Sequence, residues 1–233
     1  MYQHLGILGG ISHVSTGAYY EKIVTQFHMR NPEGSYPEIT IASLDFRRFT
    51  DYETDDSRAL YIDYIVAGLE RLHGAGAGLA LMAANSPHAV FDEVQRRSPL
   101  PLISIIQSTV VAAAEQGLQK LLLLGIQFTM ERTFYREAAL DRGIDVFSPR
   151  SAHRKEIDDI IYDELCRNDI RDTSRQRLLD IVASYDVDGV ILGCTELPLL
   201  ISASDSPLPV LDTMALHCET AVNLCLGREQ EPM

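Results

Sequence analysis

Tryptophan is absent from this 233-residue chain, and cysteine and basic side chains are scarce. The four cysteines, Cys166, Cys194, Cys218 and Cys225, form no CxxC pair and no regular framework. That spacing argues against a disulfide-stapled domain or a zinc ribbon and for free thiols in a reducing compartment. Twenty Lys and Arg stand against 33 Asp and Glu, a formal charge of −13, with no basic run. Neither a phosphate backbone nor an anionic membrane surface suits such a chain, so no nucleic-acid partner and no membrane are expected. No apolar stretch reaches the ~20 residues of a spanning helix. Met1 leads straight into a strand pattern without a basic region or cleavage site, so a cytoplasmic location is expected. No cluster has metal-ligand spacing, and no Ser–His–Asp motif occurs.

What is present is a doubled pattern. The apolar run Gly78–Ala83 precedes Ala84-Asn85-Ser86-Pro87-His88, and Gly189–Leu192 precedes Gly193-Cys194-Thr195-Glu196-Leu197-Pro198. SerProLeuPro trails each, at Ser98 and again at Ser206. Ala84 and Cys194 lie 110 positions apart and the two phrases 108 apart, so the register is kept. Two related lobes of roughly 100 residues follow from the length and the repeat. The expected division is 1–106 plus 212–233 for the first lobe, with the last helix, and 107–211 for the second.

Short apolar runs bounded by Gly and Pro read as strands at Leu5–Leu8, Glu38–Leu44, Gly78–Ala83, Leu102–Ile103, Lys120–Leu124, Asp145–Phe147, Gly189–Leu192 and Pro209–Leu211. Periodic segments between them read as helices at Thr16–Arg30, Ser57–Gly74, His88–Arg97, Ser108–Gln116, Met130–Asp141, Glu156–Arg167, Thr173–Tyr185 and Thr213–Leu226. This alternation predicts an α/β fold of parallel sheets covered by helices on both faces. In such sheets ligands bind beyond the carboxyl ends of the strands. The loops there are Gly9–Ser15, Asp45–Arg48, Ala83–His88, Gly125–Thr129 and Gly193–Glu196. Their short polar side chains suit a small polar ligand.

Gly6-Ile-Leu-Gly9-Gly10 lacks the GxGxxG spacing of a dinucleotide site, and no acidic residue ends a second strand about twenty positions on. Its glycines instead let the backbone approach a ligand or turn tightly into a Ser15/Thr16 cap. Cys194 opens a helical turn, a setting expected to lower a thiol pKa and yield a base or nucleophile; inert packing is the alternative. Asn85 and Ser86 either cap the next helix or hold a carboxylate, and Thr129 is either an N-cap or a ligand contact. Arg47 or Arg48 is a candidate clamp on a second carboxylate, against the ordinary case of surface arginines. His88 is expected in a first helical turn, and Cys166, Cys218 and Cys225 in packing.

Taken together, Gly6–Gly10 with Thr16, Asn85-Ser86-Pro87-His88, Thr129-Met130-Glu131 with Tyr135, Gly193–Pro198 and Asp212-Thr213 resemble the aspartate/glutamate racemase family over nearly the whole chain. Glu196, where glutamate racemases of the cell-wall pathway usually carry His, points to the aspartate and broad-specificity branch. The resemblance implies two pseudo-symmetric lobes, each a parallel sheet flanked by helices, with the active-site cleft between them. It also implies no PLP, no metal, a small amino-acid or dicarboxylate substrate and a homodimer. Two residues, one from each lobe, would exchange the α-proton on opposite faces of the substrate. Cys194 fits the second-lobe position, and Gly10, Asn85, Ser86, Thr129, Thr195 and Arg47 are the candidate substrate contacts. The first-lobe position, normally Cys or Thr, is Ala84.

Alanine carries no proton. An engineered knock-out, a natural homologue with altered activity, and one-base chemistry of the arylmalonate decarboxylase kind all accommodate it. The readings carried forward are a racemase-type enzyme with one acid/base missing, a one-thiol lyase, and a non-catalytic amino-acid-binding protein.

Overall fold

Among the described residues, eight parallel strands, none longer than five residues, alternate with helices along the chain. The computed structural model describes residues 2–31, 33–54 and 57–228. By its internal contacts the chain divides into two units. One runs to Ile105 and resumes at His217; the other spans Ile106–Leu216. Residues 229–233 of the expected first lobe lie outside the described residues.

The first unit holds β1 (Leu5–Gly9), α1 (His13–Arg30), β2 (Ile39–Ser43), α2 (Phe46–Thr54), α3 (Arg58–Gly74), β3 (Leu79–Met82), α4 (Phe91–Arg97) and β4 (Leu102–Ile103). Its sheet order is β2-β1-β3-β4, all parallel. Every residue of β1 and β3 is buried, as continuous apolar strands in a covered parallel sheet must be. In α3, Tyr61, Ile62, Ile65, Val66, Leu69 and Leu72 recur at three- and four-residue spacing on the buried face. Gly6 lets that helix approach β1, because a Cβ there would stand 3.1 Å from Leu72 Cδ1.

The second unit follows with α5 (Ile105–Glu115), β5 (Lys120–Leu124), α6 (Gln127–Glu131), α7 (Phe134–Leu140), β6 (Asp145–Phe147), α8 (Ser151–Asp163), α9 (Asp172–Ala183), β7 (Gly189–Leu192), β8 (Val210–Asp212) and α10 (Thr213–Cys225). The division falls inside α10. The sheet order β6-β5-β7-β8 repeats that of the first unit. Each order reverses direction between its first and third strands, β1/β3 and β5/β7. In parallel sheets the carboxyl edge at such a reversal is where ligands bind.

Helical expectations change in several places: the helix expected at Glu156–Arg167 is α8, Ser151–Asp163, and the one expected at His88–Arg97 opens as a 3-10 turn before α4. Asp45–Arg48, read as a loop, contains the start of α2, which Asp45 caps by accepting the Arg48 N–H at 2.8 Å. The expected helix 130–141 is broken, because Arg132 is extended between α6 and α7. The cap of α1 is Ser12, whose Oγ accepts the Ser15 N–H at 3.2 Å, so the helix begins at His13 and Thr16 lies within it.

Candidate active site

At the β1/β3 edge, Gly10 has φ +83°, and an added Cβ would stand 2.2 Å from Leu44 O and 2.4 Å from Leu44 N. Backbone crowding, then, already demands a glycine here. The Gly10 N–H donates to Thr16 Oγ1 at 2.9 Å, and Thr16 Oγ1 donates to Ser12 O at 2.7 Å, which fixes the loop shape.

After β3 the backbone turns at once. Ala83 N–H donates to Leu8 O, and Ala84 N–H donates to Met82 O at 2.8 Å. Ala84, Asn85, Ser86 and His88 are all buried, and Ser86–Val90 forms a 3-10 turn with Pro87 near its start. Asn85 does not cap this turn with its side chain. Ser86 hydrogen-bonds the Tyr61 hydroxyl, which donates to Glu53 Oε1 at 2.9 Å. Burial, then the Glu53 carboxylate, push the Tyr61 pKa well up, so the phenol stays a donor.

His88 is structural. Ile105 N–H donates to Nε2 at 3.2 Å, which leaves the proton on Nδ1 to donate to Ala84 O at 3.1 Å. Its ring stacks on Phe91 at 5.2 Å and meets His217 edge-on at 6.0 Å. Burial, then the neighbouring His217, lower its pKa to about 3. His217 donates through Nε2 to Ile103 O at 2.9 Å and accepts from Tyr19 Oη at 3.0 Å; burial lowers its pKa to about 4. Both imidazoles are therefore neutral near pH 7.

At the end of β2, the Arg47 side chain is 92% exposed, with Asp51 4.0 Å away. Arg48 is better fixed: its guanidinium lies 4.7 Å from the Tyr64 ring centre and 5.4 Å from that of Tyr52, and Nε donates to Tyr52 Oη at 3.1 Å. Preorganisation favours Arg48 over Arg47 as an anion clamp.

At the β5/β7 edge the strand ends pack closely through glycines. A Cβ on Gly125 would stand 3.0 Å from Gly193 O, and one on Gly193 would stand 2.8 Å from Leu123 Cδ1. Thr213 Oγ1 donates to Leu192 O at 2.8 Å, fixing the last peptide of β7. Buried Tyr135 hydrogen-bonds both Thr109 and Thr213. Thr129 lies inside α6 rather than at its cap. Its Oγ1 is buried and has no hydrogen-bond partner within the protein. A buried hydroxyl without a partner costs free energy of order 1–3 kcal/mol, and a ligand that hydrogen-bonds it recovers part of that.

Cys194 is partly buried, and its Sγ–H donates to Glu196 Oε2 at 3.0 Å. Thr195 Oγ1 donates to the same oxygen at 2.8 Å. Burial raises the thiol pKa well above its ordinary value, and the Glu196 charge and hydrogen bond add to that. This overturns the expected lowering by a helix N-terminus. The turn that follows, Leu197–Leu199, is only three residues long, and a carboxylate sits on the sulfur. The resting group is a thiol, equipped to give a proton. Cys166 also feels Glu196: burial, then that charge, raise its pKa to about 11.

The sequence reading missed Glu196 as the partner of the thiol, along with the Tyr61–Glu53 support of Ser86. A carboxylate two residues beyond a strand-end cysteine was the available signal for the first. Among the described residues no group of three or more His, Cys, Asp or Glu is placed to hold a metal ion, and no helix is long and apolar enough to cross a membrane.

The geometry can be set beside known proteins. A family model described as Asp/Glu/hydantoin racemase matches residues 8–221. The broad specificity amino-acid racemase RacX of Bacillus subtilis is 21% identical over 230 residues, covering 96% of this chain and 98% of its own. A crystal structure of a candidate Asp/Glu racemase from Yersinia pestis superposes with a TM-score of 0.89 at 33% identity, covering 96% of this chain and 99% of that one. An aspartate racemase homologue from Pyrococcus horikoshii, PH1733, gives 0.86 at 32% identity with the same coverage. Two parallel four-stranded lobes of like topology, and a match through both strand-end motifs, place this chain in the Asp/Glu/hydantoin racemase family.

Proposed function

We propose that the protein exchanges the α-proton of aspartate, glutamate or a related amino acid at Cys194, and that it racemises them poorly because Ala84 stands where the other lobe would supply a second acid/base. The observation that carries this reading is the contrast between equivalent strand ends: after β7 a thiol whose proton is held by Glu196, after β3 a methyl group. Inversion at Cα needs a proton delivered to the face opposite the one it left. One thiol can only take a proton and return it to the same face, which gives exchange with retention of configuration.

The remaining roles follow from chemistry. Asn85 and Thr129 hold the α-carboxylate, with Thr129 gaining the hydrogen bond its hydroxyl lacks, while Ser86 and Thr195, whose hydroxyl protons go to Tyr61 Oη and Glu196 Oε2, line the site. Arg48, with Arg47 as the looser alternative, meets the distal carboxylate. Gly10 shapes its loop. A cytoplasmic homodimer is the working form, checked by light scattering of the purified protein.

The test is incubation of each enantiomer of aspartate and glutamate in D2O, followed by chiral separation and mass spectrometry. Deuterium incorporation without enantiomer formation supports the proposal, and no incorporation into any of them removes it. A second reading has its own support. Ala84 belongs to the apolar cluster around Leu8, Leu44 and Met82, and the thiol rests protonated. A lyase would need one proton donor and an apolar wall, and release of CO2 from a malonate-like acid tests it.

A further inference from the structure

The side chain that the second lobe arranges most deliberately around Cys194 is Glu196. It is 8% exposed, and one of its oxygens, Oε2, accepts both the Cys194 Sγ–H at 3.0 Å and the Thr195 hydroxyl at 2.8 Å. The Thr195 bond fixes that oxygen toward the thiol. A free thiolate here would face the carboxylate across one hydrogen-bond length while largely out of water, the arrangement that like charges resist most. An enzyme that takes an α-proton at this sulfur therefore needs a route that never forms the thiolate beside a charged Glu196.

We propose that Glu196 is the terminal proton acceptor for Cys194: as Sγ takes the substrate α-proton, it passes its own proton to Glu196 Oε2. This rests on the reading of Cys194 as the acid/base residue. The Cα–H bond breaks and its electron pair stays on the substrate. A new S–H bond forms from the α-proton as the original S–H bond breaks, and an O–H bond forms on Glu196. The negative charge moves from the carboxylate to the substrate carbanion, and the sulfur is a neutral thiol before and after. The thiol proton exchanges with solvent before the reverse step, so the proton returned to Cα is not the one removed. Thr195 acts as a positioning residue that keeps Oε2 turned to the sulfur.

Glu196→Gln separates this relay from a structural role, because the amide oxygen still accepts from the thiol but is no base. The expected result is a fall in α-proton exchange of ~10²–10⁴-fold, the usual contribution of a positioned base. Alkylation of Cys194 by iodoacetamide should meanwhile become faster, because the charge opposing its thiolate is gone. A misfolded variant would expose buried Cys218 and Cys225 to the reagent as well, which peptide mapping detects. Glu196→Asp, which keeps the base, should retain more exchange than Glu196→Gln. The unmodified protein supplies a test that needs no variant: loss of α-tritium from labelled substrate should run slower in D2O than in H2O, because the exchangeable Sγ proton moves in the same step. Exchange by Glu196→Gln at the original rate or faster, or exchange by the unmodified protein that is no slower in D2O, overturns the relay and leaves Cys194 standing. No exchange by the unmodified protein overturns the Cys194 reading itself, and the relay with it.

Discussion

Ala84→Cys is the substitution whose effect can be worked through most fully. The new thiol would restore a proton carrier after β3, and a positioned acid or base contributes ~10²–10⁴-fold. At about 1.4 kcal/mol per factor of ten, that is ~3–5 kcal/mol of transition-state stabilisation. The cost is steric. Ala84 is 7% exposed among apolar neighbours, and adding one heavy atom to a packed site costs ~1–3 kcal/mol of stability. A domain with ~5–15 kcal/mol to draw on tolerates that. The backbone needs no change: Ala84 O is held by His88 Nδ1–H and its N–H by Met82 O, both independent of the side chain. The assay is polarimetry or chiral chromatography on aspartate and glutamate, with thermal unfolding as the check on folding. A folded Ala84→Cys protein whose racemisation stays within tenfold of the parent would refute the reasoning.

Calorimetric titration with a non-reacting dicarboxylate should show Arg48→Ala weakening binding by about tenfold or more and Arg47→Ala changing it little, since charge-assisted bonds contribute ~1.5–3 kcal/mol and only Arg48 is held in place; equal effects would reject that choice. Gly10→Ala should destabilise by ~3 kcal/mol or more, because left-handed backbone costs ~1–2 kcal/mol and the methyl also meets the Leu44 backbone. In helix α1, Gly17→Ala meets nothing within 4 Å and should stabilise by up to about 1 kcal/mol; a urea titration that ranks the two the other way contradicts the packing. Acid should also weaken the fold before its carboxylates titrate. His88 and His217 have folded pKa values of about 3 and about 4, below the ordinary 6.5, so between those values the unfolded chain binds the extra protons. Stability then falls as pH falls from about 6.5 toward 5, by up to about 1.4 kcal/mol per pH unit for each histidine. Urea midpoints that hold constant across that window would show the imidazoles are not buried neutral.

Continuous apolar runs bounded by turn residues made the strands legible. Leu102–Ile103, Lys120–Leu124, Asp145–Phe147 and Gly189–Leu192 stand in the fold with the boundaries read from the chain. Helix α2 was not legible, because its only buried residue is Phe49 and its start depends on the Asp45 cap. The break at Arg132 carries no proline or glycine to announce it. At the site, the motif positions at Ala84 and Cys194 were plain from the repeat, and the sign of the thiol's pKa shift was not. That sign depends on the Glu196 carboxylate folding back onto the sulfur across a single intervening residue. Helix-dipole reasoning from sequence order has no access to this. Likewise, Gly10 looked like a ligand approach and answers first to the Leu44 backbone.

In the proposed reaction one thiol moves the α-proton and nothing completes the inversion. The most direct measurement follows the unmodified protein with L- and D-aspartate in D2O and reads α-deuterium content and enantiomer ratio in the same samples. Deuterium should enter one enantiomer with its configuration retained, and Cys194→Ser should abolish that entry. Formation of the opposite enantiomer at the rate of deuterium entry would contradict it and would demand a second proton donor on the first-lobe side.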